Sequence, residues 1–163
     1  DHGAQQSHQR HQRTEDGQVH RQLGCQGGAG GTELAEAVPA DKYTWRPAEG
    51  VRSISEVFLH VAAANYGIPR SIGMAPPEGF QFRGYDKATT DKAEIAGKVK
   101  DSFAHIHKAF EGVDDPHKTV KMFRQDMSAL GAMWFMLEHL SEHLGQSIAY
   151  ARGNGVTPPW SEQ

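Results

Sequence analysis

The chain has 163 residues with a formal net charge of −3 when histidines are neutral, a length that suits one domain and a balance that gives no broad positive field for nucleic acids. Its single cysteine excludes an internal disulfide and a zinc site built from several cysteines. No apolar run approaches the ~20 residues that cross a bilayer, so we expect no membrane partner and a cytoplasmic location.

The first 31 residues are rich in glutamine and glycine and offer only Val19, Leu23 and Cys25 to a core. Such a segment buries too little apolar surface to offset the entropy of ordering it. We therefore expect a disordered, low-complexity tail over residues 1–31, with the glycine run at its end acting as a breaker, and a helical bundle domain over residues 32–163. Four histidines with irregular spacing are interpreted as solvated residues of this tail: His2, His8, His11 and His20.

Two helices are predicted in the first half of the domain. A short one covers Glu33 to Val38 and ends at Pro39. Ser53 and Glu56 have the spacing of a capping box, so a second helix should begin there and continue to about residue 69. The following stretch, Gly73 to Thr90, reads as a long loop that could serve as a lid.

Two further helices are predicted in the second half. The third begins near Asp91 and ends before Gly112, and the last runs from about Ser128 to Arg152. The last helix contains four large apolar residues in succession, from Trp134 to Leu137, which indicates a central, buried position. The histidines outside the predicted apolar faces should be solvated; they are His105, His107 and His117.

These elements predict an all-α fold, because no segment alternates as a strand would. Short connections apart from the loop at 73–90 favour an up-and-down four-helix bundle with a short or irregular first helix. Aromatic and sulfur side chains could line a pocket, although residues at helical spacing more often form core; they are Trp134, Met136, Tyr150 and the loop aromatics.

Three histidines form the candidate metal site. His139 and His143 are four residues apart in the last helix, so both imidazoles project from one face. The same spacing would also fit an alternative in which His139 and His143 are two half-exposed polar residues that bind no metal. His60 lies mid-helix between Leu59 and Val61, where a lone histidine is more often a hydrogen-bonded core residue. Together the three supply the donors of a catalytic metal site that keeps positions open for water or substrate.

The chain resembles the DinB/YfiT-like proteins over roughly residues 32–160. The likeness rests on the segments Val38–Tyr43 and Ser53–Asn65 and on the run Leu137–Gln146, followed by Tyr150, Arg152, Gly155, Pro158 and Pro159. The resemblance implies a four-helix bundle, often dimeric, in which His60, His139 and His143 bind a divalent metal. It also implies relatives that are transferases or isomerases dependent on a low-molecular-weight thiol.

The first helix departs from the family pattern. Family members begin with an amphipathic helix of about six turns, whereas residues 1–31 have the wrong composition for one. Loss of the first helix would leave the bundle incomplete and would weaken the expectation of the homodimer that the resemblance implies.

The function expected from these features is a metal-dependent transferase that joins a low-molecular-weight thiol to a small electrophile, with Zn or Ni as the metal. The thiol must come from outside because Cys25 lies in the tail. A metal-dependent hydrolase is an alternative, in which Glu142 or Glu138 would move the proton; His139 to His143 matches the H-x-x-E-H pattern with Glu142. A second alternative is a non-catalytic bundle that binds a metal or a small molecule.

Overall fold

A computed structural model describes residues 28–162 and confirms the all-α fold. Four helices account for most of these residues: α1 (28–37), α2 (Ile54–Gly67), α3 (Lys92–Glu111) and α4 (Ala129–Gly153). Short 3-10 turns cover Ala40–Lys42, Ile68–Ile72, Tyr85–Lys87 and Pro159–Glu162. Among the helices of residues 28–162, none combines the length and apolar character that a bilayer crossing requires.

Helix α1 corrects the prediction that the glycine run breaks the chain, because residues 28–31 are helical. A Cβ on Gly31 would lie 2.9 Å from the Phe103 ring, and one on Gly28 would lie 3.0 Å from it. The missing side chains therefore let α1 approach α3 closely, and this packing offsets the poor helix propensity of glycine. The rest of the predicted tail, with its four histidines and Cys25, lies outside the described residues.

The predicted helix starts are confirmed by their caps. Ser53 Oγ accepts a hydrogen bond from the Glu56 amide at 3.3 Å, and Glu56 Oε2 accepts one from the Ser53 amide at 2.8 Å, which completes the capping box. Asp91 caps α3 through the Glu94 amide, and Ser128 caps α4 through the Gly131 amide. Each cap satisfies a donor that the helix leaves without an internal partner.

Helix α2, rather than the last helix, is the most buried element. Eleven of its residues are buried, and it packs against both α3 and α4. The apolar run in α4 is not buried all round, because Trp134 is 56% exposed while Met136 and Leu137 are buried. The reason is geometric: four consecutive residues span all sides of a helix, so one of them points outward even when its neighbours reach the core.

A small hairpin between α3 and α4 corrects the prediction that strands are absent. Strands β1 (Thr119–Met122) and β2 (Gln125–Ser128) pair antiparallel, with Met122 opposite Gln125. The two turn residues, Phe123 and Arg124, have φ values of 50° and 67°. Hairpins of this kind usually carry Asn or Gly at such positions, so the sequence shows none of the usual signals.

The loop between Gly73 and Thr90 is confirmed as largely irregular. Its aromatic side chains fold back onto α2, where Phe80 and Tyr85 contact Tyr66 with ring centroids 5.5 and 6.2 Å apart. His105 of α3 joins this group, because its ring lies edge-on to Tyr66 at 5.3 Å. His105 and His107 are both half-buried, against the prediction that they are solvated, whereas His117 is exposed as predicted.

Candidate metal centre

The structure brings the three predicted histidines together at the contact between α2 and α4. The Nε2 atoms of His60 and His139 are 3.2 Å apart. The His143 ring lies 4.7 Å from His60 and 4.5 Å from His139, centroid to centroid. One ligand atom from each residue lies within 4.8 Å of the others, so the group could hold a single metal ion.

Helix geometry explains this convergence. His139 and His143 lie one turn apart on α4, so both reach the neighbouring helix α2, which carries His60. His60 and His139 remain partly accessible, whereas His143 is only 8% exposed. The centre is thus anchored in the core on one side and open on the other.

The electrostatic environment keeps two of the imidazoles neutral. Burial lowers the pKa of His60 to about 4, and the positive charge of Arg52 and the other two histidines act in the same direction. Burial likewise lowers the pKa of His139 to about 4, assisted by His143 and opposed by Glu142. A neutral imidazole offers a nitrogen lone pair, which is the form that binds a metal.

A hydrogen-bonded chain orients His143. Its Nδ1 lies 2.8 Å from Gln146 Oε1, so Nδ1 carries the proton and Nε2 keeps its lone pair. The Gln146 amide donates to the Tyr150 hydroxyl at 3.2 Å, and the Tyr150 ring packs edge-on against Trp45 at 5.5 Å. No motif in the sequence indicates a role for Gln146, although His143, Gln146 and Tyr150 lie at positions i, i+3 and i+7 and so share one face of α4.

The donor set fits a divalent transition metal. Two Nε2 atoms at 3.2 Å are joined either by one N–H···N hydrogen bond between neutral rings or by a cation that both bind, and the low pKa values keep both rings in the neutral form that a metal requires. Imidazole ligands suit metals such as zinc and nickel. Glu138 and Glu142 are both exposed, and neither belongs to the three-residue group.

A cavity of about 710 Å³ opens beside the centre and is lined by His60 and His139. Its walls are mainly apolar: Phe80 and Phe82 come from the loop, and Phe123 and Phe135 come from the hairpin and α4. Arg70 and Lys121 also line it. We call this space the apolar cavity.

A second cavity of about 580 Å³ lies on the side of Gln146. It is lined by charged side chains, including Arg46, Arg52, Glu56 and Asp86. Two ion pairs cross it, Arg46 with Glu56 at 3.4 Å and Arg52 with Asp86 at 3.5 Å. We call this space the polar cavity.

Comparison with solved structures identifies proteins of the same fold. A DinB-like protein from Bacillus cereus ATCC 10987 aligns with a TM-score of 0.71 at 16% identity, over 82% of this chain and 89% of its own. A DinB-like protein from Bacillus subtilis (YjoA) aligns with a TM-score of 0.59 at 21% identity, over 90% and 93% of the two chains.

The mycothiol-dependent maleylpyruvate isomerase also aligns, with a TM-score of 0.64 at 13% identity, over 78% of this chain and 59% of the isomerase. No curated protein sequence matches significantly. The family model for the DinB superfamily matches residues 32–147. Because this match covers most of the chain, the protein belongs to the DinB superfamily.

Proposed function

We propose that this protein is a metal-dependent transferase that joins a low-molecular-weight thiol to a small electrophile. The observation that carries the proposal is the convergence of His60, His139 and His143, whose ligand atoms lie within 4.8 Å of one another. Three neutral imidazoles would hold zinc or nickel and leave coordination positions open. A bound divalent cation would supply Lewis acidity that favours the thiolate form of a thiol.

The two cavities support a reaction with two substrates. The polar cavity offers Arg46, Arg52 and Lys87 to a polar, charged molecule such as a cellular thiol. The apolar cavity is lined by His60, by His139 and by aromatic side chains, so it suits an apolar electrophile. The superfamily's fold also serves a mycothiol-dependent isomerase, which is a precedent for thiol dependence.

The protein's own residues would position the reactants. Gln146 binds Nδ1 of His143 and so leaves Nε2 as the nitrogen that a metal would use. Arg52 lies close enough to lower the pKa of His60, and its positive charge would also favour an anionic sulfur near the centre. The hydrolase alternative needs a carboxylate at the centre, and the exposure of Glu138 and Glu142 makes the transferase the better-supported choice.

The proposal is tested on untagged protein in two steps. Elemental analysis should find about one divalent metal per chain, and His139→Ala should lose it, whereas His117→Ala, a change at an exposed histidine, should retain it. Absence of stoichiometric metal from the unmodified protein would overturn the metal site. Retention of metal by His139→Ala would exclude this residue as an essential ligand.

The metal-loaded protein is then incubated with 1-chloro-2,4-dinitrobenzene and, in turn, glutathione, mycothiol and bacillithiol. We expect one thiol to be consumed at a rate that depends on the metal and on His139. Metal binding without consumption of any of the three thiols would contradict the transferase and favour a binding protein.

A further inference from the structure

The apolar cavity extends well beyond the metal centre. Its floor follows α2 from His60 through Ala64 to Ile68 and ends in the 3-10 turn that carries Arg70. Helical rise over these ten residues separates the two ends by about 15 Å. A ligand that touches both ends must therefore be elongated.

The side walls of the cavity are aromatic and partly exposed. Phe82 is 54% exposed on one side and Phe123 is 65% exposed on the other. Phe123 packs edge-on against Phe135, with ring centroids 5.2 Å apart. Large apolar groups that remain this accessible around one concavity indicate a surface that an apolar ligand covers.

The backbone of the hairpin turn points to the same conclusion. Phe123 has a φ of 50°, a left-handed conformation that a bulky residue adopts at an energetic cost. Asn or Gly would fit this turn better. The turn thus keeps an unfavourable residue at the position from which its ring reaches the cavity.

The charges of the lining are of one sign. Arg70 and Lys121 line the cavity, and no carboxylate does so among residues 28–162. Lys121 pairs with Asp126 at 2.8 Å, but both side chains are mostly exposed, which makes that pair weak. The structure gives Arg70 no ion pair within the described part of the chain, and β1, which carries Lys121, packs against the turn that holds Arg70.

We propose that the apolar cavity binds an elongated apolar molecule that carries a carboxylate, with the carboxylate at Arg70 and the other end of the molecule at the histidines. The guanidinium group presents donors in a fork that matches a carboxylate. This inference rests on the proposed function in that it names the class of the second substrate, but it concerns binding and does not require turnover.

The test compares three probes with the same ten-carbon chain by isothermal titration calorimetry: decanoate, decan-1-ol and decyltrimethylammonium. We expect decanoate to bind about tenfold more tightly than the alcohol, as one charge-assisted contact would produce, and the cation to bind most weakly. Equal affinity for decanoate and decan-1-ol would overturn the assignment of a carboxylate.

Two variants locate the contacts. Arg70→Gln should remove the preference for decanoate over decan-1-ol. Arg83→Gln changes an exposed arginine of the loop at 73–90 that does not line the cavity, and it should keep the preference. Phe123→Asn combined with Arg124→Gly should raise Tm by relieving the turn and weaken both ligands. If Arg70→Gln keeps the preference, or the paired change leaves both affinities intact, the proposal fails.

The His139→Ala variant separates this inference from the proposed function. Decanoate should still bind to it, since the carboxylate contact lies at the opposite end of the cavity. If decanoate binds but the unmodified protein holds no metal, only the proposed function fails. If the metal and thiol tests succeed and decanoate does not bind, only this inference fails.

Discussion

At the scale of single residues, Gln146 determines which nitrogen of His143 remains available to a metal. Its Oε1 accepts from Nδ1 at 2.8 Å, and its amide is held in turn by Tyr150. Partners of this kind fix both the tautomer and the ring orientation of a metal ligand, so a residue that never touches the ion affects its affinity.

We therefore expect Gln146→Leu to lower metal affinity by roughly 10 to 100-fold while the fold is retained. Competition with a chromogenic zinc chelator measures the change, and circular dichroism checks the fold. Tyr150→Phe is the matched control: it removes only the outer hydrogen bond and should have a smaller effect. Unchanged zinc affinity in Gln146→Leu would show that His143 is oriented without this contact.

The sequence predicts some residues of the centre and not others, for a physical reason. His139 and His143 are apparent because helical spacing alone places them on one face. His60 is less apparent: it completes a set of three imidazoles and matches the family pattern, but only the folded chain brings it to the pair. Arg70 and Lys121 lie on separate elements that meet only in the folded chain, so no local pattern connects them with the cavity.

At the scale of elements, glycine has opposite effects in two helices. In α1, a Cβ on Gly31 would lie 2.9 Å from the Phe103 ring, whereas one on Gly97 in α3 would meet nothing within 4 Å. The first glycine is required for the close contact between α1 and α3. The second only adds conformational freedom to the unfolded chain.

Alanine substitutions at these two positions should therefore have opposite signs. Gly97→Ala should raise the free energy of unfolding by about 0.5 to 1 kcal/mol. Gly31→Ala should lower it by about 1 to 3 kcal/mol, as expected when a packed interface is overfilled. Urea denaturation of both variants gives the comparison. Equal stabilisation by the two changes would mean that α1 does not pack on Phe103 as described.

Helices α2 and α3 could be predicted because each begins at a side-chain cap that is followed three residues later by Glu, whereas α4 was predicted from its apolar run. The hairpin could not, since four-residue strands are too short to show alternation and Phe123-Arg124 is not a usual turn pair. The helical glycine run was also missed, because its stability comes from contact with Phe103 rather than from local propensity.

At the scale of the whole molecule, the aromatic cluster that joins the loop to α2 and α3 includes a titratable group. His105 lies against Tyr66, and its Nε2 atom is buried without a hydrogen-bond partner among the described residues. Burial lowers the pKa of His105, and the nearby Lys108 adds to this effect. At this scale the homodimer and the cytoplasmic location expected from the sequence stay predictions.

This lowered pKa predicts a loss of global stability in mild acid. The unfolded chain binds a proton at His105 near the ordinary histidine pKa of about 6.5, whereas the folded chain binds it only at lower pH. Stability should therefore be maximal above about pH 6.5 and fall as the pH decreases below it. His60 and His139 act in the same direction in the metal-free protein, so a variant is needed to isolate His105.

We expect His105→Gln to reduce, but not abolish, the slope of the free energy of unfolding against pH between about 7 and 5, because His60 and His139 still contribute. Urea titrations at several pH values, on chelator-treated protein, provide the measurement. His117→Gln, at an exposed position, should behave as the unmodified chain. A slope that is identical in the unmodified chain and His105→Gln would show that His105 titrates alike in both states.

The long sequence separation between the donors sets the order in which the centre can assemble during folding. His139 and His143 become neighbours as soon as α4 forms, an event of about a microsecond or less, whereas His60 precedes His139 by 79 residues and joins them only when the two helices dock. A newly made chain can thus offer two donors early but three only at a late step. Tight retention of an ion would then mark the chains that have completed their tertiary assembly.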